Sequence, residues 1–336
     1  MSVHFGFKSY NQRIMKIDIP EISKQIYKED TLSVLDKKYS ILGPIWITQQ
    51  MEWSNAAYIS FKDHDKFLIL IFLIKKALDF YSRNFIKLSY EEFYSKNTIE
   101  IEKFNIAEIS TALSIPKEST RRKVIELENE GVIKKIKNKI IIDRSKFSYS
   151  KPIDSIKRMS RFLAVFSEMC VSENILLKNI PSEEIEITIK KNFSYIWKIY
   201  YELQIPMMIG YKKIFKDLET FHIFGTCIVN QHLHARKVSV DSMNRESFIK
   251  TLHTTPKMQG INAMSISDIT GIPRATVIRK LKTLVKVKNL SIDNKKHYRL
   301  ASNFTKTLMP LQKNVFTKLA AFAAQIYNLH LLSKKI

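Results

Sequence analysis

Apolar residues recur at helical spacing along most of the chain, whereas β-branched runs bounded by turn residues are few and short. The helical pattern predicts helices at Phe67–Arg83, Met159–Cys170, Phe221–Arg236 and Phe304–Leu332. The longest apolar run, 67–74, is too short for a membrane-spanning helix, which needs about 20 apolar residues. The pattern therefore predicts a mainly α chain with small β elements.

A segment near the middle of the chain is repeated 157 residues later without a gap. NIAEISTALSIP at 105–116 aligns with NAMSISDITGIP at 262–273, and the match extends to Arg122 and Arg279. Weaker similarities lie upstream of both segments. We therefore predict a duplicated chain. Its predicted parts are an N-terminal segment 1–39, a first module 40–148, a helical linker 149–189, a second module 190–303 and a C-terminal helix 304–336.

Each copy shows the order helix, short turn, helix, hairpin. In the first copy, Asn105 is suited to cap a helix, Pro116 to start the next one, and Gly131 to end it. The β-branched stretches that follow predict a hairpin, or wing. We call residues 105–143 the first head and residues 262–300 the second head. The predicted helix-turn-helix and wing span about 105–130 and 132–143 in the first head, and 262–287 and 289–300 in the second.

These residues resemble a known group of proteins. IAEISTALSIPKESTRRKVIELENEGVI, and ISDITGIPRATVIRKLKTLVKVKNLSIDNKKHYRL in the second copy, resemble the winged helix-turn-helix of MarR-, IclR- and Crp-type bacterial transcriptional regulators. The resemblance departs from the pattern at Ser114, where Gly is usual, and at Lys288, which replaces a helix-ending Gly. It implies two winged helix-turn-helix modules in one chain, related by a pseudo-two-fold axis. It also implies that the second helix of each module enters the major groove.

The N-terminal half of each second helix carries side chains suited to DNA. Arg can donate two hydrogen bonds to guanine, Ser and Thr can reach base edges or phosphates, and aliphatic groups can touch a thymine methyl. The predicted DNA-binding residues are Lys117, Ser119, Arg121, Arg122, Lys123, Lys137 and Lys139 in the first head, and Arg274, Thr276, Ile278, Arg279, Lys280 and Lys295 in the second. The two faces differ, which favours an asymmetric or imperfectly symmetric site.

Composition is consistent with a polyanionic partner. The 55 Lys and Arg residues outnumber the 32 Asp and Glu residues, for a net charge of +23. Such a charge favours nucleic acid, although a solvated lysine-rich surface is the alternative. Two cysteines, Cys170 and Cys227, exclude a disulfide framework and favour the reducing cytoplasm. The N-terminus lacks the apolar region of a signal peptide. Glycine-rich phosphate loops are absent, and no cofactor is implied.

One stretch raises the alternative of an enzyme. His232-Leu233-His234 resembles the metal motif of rolling-circle nicking endonucleases, with Tyr200 and Tyr201 as candidate nucleophiles. That motif needs a strand, and in the helix predicted here residues i and i+2 diverge by about 200°. We therefore predict no metal site and no catalytic residue. We expect Asp63 and Asp217 to cap helices rather than to bind a metal.

The combined expectation is a cytoplasmic, non-enzymatic protein that binds double-stranded DNA in a sequence-specific manner and regulates transcription. A plasmid or phage replication initiator with tandem winged helices is the alternative, and a winged-helix scaffold that contacts only protein is another. No membrane partner is expected. The C-terminal helix is expected to pack on the body or, as the alternative, to form a homodimer seam. Whether a small-molecule effector binds is unknown from the sequence.

Overall fold

Helices form most of the protein, whose computed structural model describes residues 24–101, 105–136, 139–147, 151–238, 242–254, 259–301 and 303–333. The helices, in chain order, are α1 (Lys28–Lys37), α2 (Tyr39–Phe61), α3 (His64–Arg83), α4 (Tyr90–Phe93), α5 (Ile106–Leu113), α6 (Lys117–Asn129), α7 (Ile153–Ser172), α8 (Ser182–Lys191), α9 (Phe193–Phe215), α10 (Leu218–Val238), α11 (Arg245–Thr254), α12 (Ala263–Thr270), α13 (Arg274–Lys286) and α14 (Asn303–Ser333).

The strands form two small antiparallel sheets. The first contains β1 (Thr98–Ile101), β2 (Ile133–Ile136) and β3 (Lys139–Asp143), with β3 in the middle. The second pairs β4 (Leu290–Ile292) with β5 (Tyr298–Leu300). The prediction of a mainly α chain with small β elements is confirmed. β1 was not predicted. Its counterpart beside β5 was not predicted either: it is a single-residue bridge in which the amides of Ile261 and Tyr298 each donate to the carbonyl of the other.

The predicted helices are present, with ends that differ by up to six residues from those expected. Polar caps explain where two of them begin. Asp63 accepts hydrogen bonds from the amides of Asp65 (2.8 Å) and Lys66 (3.3 Å) at the start of α3. Asp217 accepts one from the amide of Thr220 (2.7 Å) near the start of α10. These bonds satisfy amides that a helix terminus otherwise leaves without partners. The capping roles predicted for Asp63 and Asp217 are therefore confirmed.

Two long helices cross between the parts of the chain that carry the heads. α2 packs more extensively on α10 than on α3, and α9 packs more extensively on α3 than on α10. The ion pair between Lys212 of α9 and Asp65 of α3 (2.8 Å) ties one crossing. At the other, Gly225 of α10 lies against Met51 of α2, where a Cβ would overlap the thioether. The scaffold is therefore interlocked: the first head packs on α3, and the second head packs on α10 and on α2.

The C-terminal helix α14 closes the core against α1, α8 and α9. Thr31 donates a hydrogen bond to the carbonyl of Ala320 (2.9 Å), and the Tyr327 hydroxyl donates one to the carbonyl of Leu163 (2.7 Å). Its apolar side, including Leu319, is buried within the same chain. This arrangement accounts for the apolar face by core packing, and a homodimer through this helix stays a prediction.

None of the described helices combines the length and the apolar character required to cross a bilayer.

Candidate nucleic-acid interface

The two heads use the same hydrogen bonds to form their helix-turn-helix units. The Asn105 side chain accepts from the amide of Glu108 (2.6 Å), and that of Asn262 accepts from the amide of Ser265 (2.9 Å). In the turns, the Ser110 hydroxyl donates to the carbonyl of Ile115, and the Ser267 hydroxyl donates to that of Ile272, both at 2.7 Å. Matching sequence positions therefore make matching contacts.

The turns differ in how they accommodate the left-handed conformation that ends the first helix of each unit. Gly271 has φ +68°, which glycine adopts without steric cost. Ser114 has φ +51° at the matching position, although its Cβ disfavours this conformation. The same contrast recurs after the second helix, where Gly131 has φ +73° and Lys288 has φ +59°. At both departures noted in the sequence, the non-glycine residue therefore adopts the same left-handed region as the glycine that it matches.

Each second helix packs one apolar face on the body, as its periodicity predicts. Thr120, Val124 and Leu127 of α6 are buried, and so are the corresponding residues of α13, Val277, Leu281 and Leu284. Their burial turns the opposite face of α6 and α13 toward solvent. On that opposite face lie most of the predicted DNA-binding residues: Lys117, Arg121, Arg122, Arg274 and Arg279 are exposed, and Ser119, Thr276 and Ile278 are partly exposed.

Lys123 and Lys280 are exceptions, and the expectation that they contact DNA needs correction. The Lys123 ammonium bonds to the Asp63 carboxylate at the start of α3, and Lys280 bonds in the same way to Asp217 at the start of α10. Both side chains are nearly covered, with 11% and 12% of their surface exposed. Their long aliphatic side chains run along the helix surface toward the body, and each ammonium group is bound by an aspartate of the scaffold instead of facing solvent.

These two bridges also set the protonation of the capping carboxylates. Burial alone raises the pKa of Asp63, but the hydrogen bond and charge of Lys123, together with the backbone amides at the cap, outweigh burial and lower it. Asp217 responds in the same way: burial raises its pKa, and Lys280 with Thr220 brings it below its usual range. Both carboxylates therefore remain ionised and hold the middle of α6 and α13 to the scaffold.

The wings carry the remaining predicted contacts. Lys139 is exposed at the first residue of β3 and forms an ion pair with Glu100 of β1 (2.6 Å). Lys295 is exposed in the turn between β4 and β5, where its amide donates to the Asp293 carboxylate (2.9 Å). Lys137 lies outside the described residues. Both described wing lysines are thus exposed, and Lys139 already holds a carboxylate.

The first head pairs its exposed cations with its own acids. The Arg121 guanidinium donates from Nε and Nη2 to the Glu118 carboxylate (3.1 and 2.9 Å). Arg122 lies 3.8 Å from Glu126. These contacts lower the pKa of Glu118, so its carboxylate stays charged. Within the described residues, the second head shows no ion pair to a carboxylate at Arg274, Arg279, Lys282, Lys286 or Lys295.

Three of the four residues considered for metal or nucleophilic chemistry lie in the core. His232 is buried in α10 against Phe248 (ring centroids 5.3 Å apart), and burial lowers its pKa to about 3. His234 is partly exposed two residues on. The tyrosines Tyr200 and Tyr201 are buried in α9. No group of three or more His, Cys, Asp or Glu side chains in the described part of the chain is arranged to hold a metal ion.

Both cysteines and the tryptophans Trp46 and Trp197 lie in the core. Cys170 and Cys227 are buried free thiols, and burial raises the pKa of each to about 12. Trp46 packs against Phe162 (ring centroids 5.5 Å apart), and Trp197 is likewise buried. These groups serve packing rather than chemistry.

Sequence reasoning missed the two Lys–Asp bridges, although a signal for them was present. Asp63 and Asp217 occupy matching positions, 154 residues apart, and Lys123 and Lys280 match 157 residues apart. A cation and an acid that both recur in a repeat indicate a shared contact. The contact joins residues about 60 positions apart, so no local pattern reveals it.

No protein-family model matches the chain, and comparisons with curated proteins and with solved structures return no match either.

Proposed function

We propose that this chain is a duplicated winged-helix protein that binds double-stranded DNA in a sequence-specific manner and regulates transcription. On this proposal α6 and α13 are the recognition helices, and the hairpins β2–β3 and β4–β5 are the wings. Each recognition helix would lie along a major groove with its N-terminal half nearest the bases. The chain would then act as a covalently joined counterpart of a dimer.

The recurrence of one helix-turn-helix-hairpin unit, with the same caps and turn bonds and an exposed basic helix face, is the observation that supports this proposal most. An ordinary solvated helix can carry scattered charges, so the charge alone is weak support. The pattern is more specific because matching side chains have the same environment in both heads. Apolar positions face the body, one lysine per helix is tied to the scaffold, and the remaining cations face solvent.

On this proposal, affinity and sequence choice come from different side chains. Wing lysines such as Lys295 contact phosphates and supply affinity that depends on salt but little on sequence. Arg279, in the exposed half of α13, is placed to donate to the major-groove edge of guanine. Thr276 could form a hydrogen bond to a base edge, and Ile278 could contact a thymine methyl group, so both would favour particular bases.

The first test is to select duplexes from a randomised library with the full chain, then to measure binding by fluorescence anisotropy at several salt concentrations. Arg279→Ala is expected to weaken binding to the selected duplex by about 1–3 kcal/mol and to relax the choice of base at one position. Lys295→Ala is expected to weaken selected and random duplexes alike and to lower the salt slope by about one.

The proposal fails if no duplex is enriched, or if Arg279→Ala binds the selected duplex as tightly as the original chain does. Regulation is tested separately by placing the selected duplex at a reporter promoter. The reporter output is expected to change with the original chain and to return toward baseline with Arg279→Ala.

A further inference from the structure

The two heads carry very different charges over matched windows of sequence. Residues 274–300 of the second head include nine basic residues and one acidic residue, a net charge of +8. The matching window of the first head, 117–143, includes eight basic and five acidic residues, a net charge of +3. The heads are thus similar in backbone but unequal in their attraction for a polyanion.

The acids of the first head are placed against its exposed cations. Besides the pairs that Arg121 and Arg122 form within α6, Lys135 of β2 pairs with Glu128 (3.0 Å). Lys139 of β3 pairs with Glu100 across the sheet (2.6 Å). Cations that already hold a carboxylate must break or share that contact before they can bind a phosphate. Four exposed cations of the first head, Arg121, Arg122, Lys135 and Lys139, are therefore already paired with carboxylates.

Glu118 is the acid closest to where DNA would approach, because it lies in the first turn of α6. Its side chain is 78% exposed, and the Arg121 side chain that it holds is 62% exposed. An exposed pair of this kind contributes little to folding stability. Ala275 occupies the matching position of α13, and Ile278 matches Arg121. The recognition helix of the second head therefore has neither the acid nor the pair.

We infer that the second head is the principal DNA anchor of the chain and that Glu118 keeps the first head a weaker reader. This inference rests on the proposed function and concerns how that function is divided between the heads. It assigns an asymmetric class of target: a duplex with one half bound strongly through α13 and a second half bound weakly through α6. Salt dependence should arise mainly from the second head.

A matched exchange tests the role of Glu118 in the full chain. Glu118→Ala introduces into the first head the alanine found at the matching position of the second head, and Ala275→Glu introduces the acid of the first head into the second. Both positions are exposed, so thermal melting should be unchanged in both variants. Glu118→Ala is expected to tighten binding to the selected duplex about three- to tenfold at low salt and to steepen the salt slope by about one. Ala275→Glu should loosen binding by a similar factor.

The division between half-sites is tested by chemical mapping. Asn294→Cys places a thiol in the exposed turn of the second wing, while the native cysteines are buried. A DNA-cleaving iron chelate attached there identifies the half bound by the second head. Scrambling that half should abolish binding to the selected duplex, whereas scrambling the other half should weaken it only severalfold.

Equal losses from the two halves would overturn the inference, and so would unchanged affinity in both exchange variants. Weaker binding by Glu118→Ala, with loss of a cytosine preference at one position, would also overturn it, because Glu118 would then contact a base directly. In each of these cases DNA binding itself survives. If the original chain enriched no duplex, the proposed function would fall and this inference with it.

Discussion

His64 should make the protein sensitive to mild acid, because it is a buried histidine at the junction of the scaffold. Its ring lies 5.2 Å from those of Tyr58 and His222, measured between centroids. Neither ring nitrogen has a hydrogen-bond partner among the described residues. Burial lowers the pKa of His64 from 6.5 to about 4, and the nearby carboxylates of Asp63 and Asp217 oppose this shift only in part.

The size of the effect follows from proton linkage. The unfolded chain protonates His64 near pH 6.5, whereas the folded chain resists protonation until about pH 4. Above pH 6.5 both states are neutral at this residue, so its contribution to stability is complete. Below that value the unfolded state takes up a proton first, and stability is lost as the pH falls toward 4. Each pKa unit is worth 1.36 kcal/mol, so His64 accounts for a loss of about 3 kcal/mol.

Urea denaturation at pH 7 and pH 4.5 measures this loss. His64→Leu removes the titration and introduces the residue that the repeat carries at the matching position, Leu218. Groups that do not interact with His64 titrate alike in both proteins, so their effects cancel in the difference. His222 is an exception, because a charge on His64 also lowers its pKa. At pH 4.5 the loss is not yet complete, so the stability of His64→Leu should fall by about 2 kcal/mol less than that of the original chain between the two pH values.

A second core variant controls for destabilisation alone. Leu68→Ala truncates a buried side chain on the same helix and should lower stability by about 2–5 kcal/mol at both pH values, without changing the loss between them. If His64→Leu lost as much stability on acidification as Leu68→Ala, the ring of His64 would be protonated in the folded state. The assignment of acid sensitivity to its burial would then be wrong.

Two further substitutions test the heads through their stability, measured by urea denaturation. Ser114→Gly should stabilise the chain by about 0.5–1 kcal/mol, because glycine relieves the left-handed strain at φ +51°; an unchanged or lower stability would contradict this explanation. Lys280→Met should destabilise the chain by about 1 kcal/mol at pH 7, because it leaves the half-buried Asp217 without its cation. That cost should shrink as the pH falls and Asp217 becomes protonated, and an equal cost at all pH values would argue against the bridge.

The local pattern of each second helix was sufficient to predict its place and its buried face. α6 was expected at 116–130 and spans 117–129. Its apolar positions recur every three or four residues, Pro116 fixes the start, and Gly131 supplies the left-handed end. All these signals act within one helix, so no distant contact is needed to interpret them.

The features that the sequence did not predict depend on contacts between distant residues. β1 has only four residues, and its pairing with β3 is formed across about 40 positions of chain. Lys123 has the composition of a surface residue, and only the position of Asp63 shows that its charge faces the body. The apolar faces of α2 and α9 also do not predict which helix each packs on. The same face would be buried whether the partner was α3 or α10.

The interlocked scaffold bears directly on how a weak first head is able to contribute to the proposed DNA binding. If the heads were joined by a flexible linker, the second binding event would still have to fix the orientation of the first head, at a cost in entropy. Here α2 packs on α10, α9 packs on α3, and Lys212 holds Asp65 across one crossing. On the proposed function, docking of the second head would therefore also fix the orientation of the first head. A head of low intrinsic affinity then adds sequence discrimination, since its contacts are made at little further entropic cost.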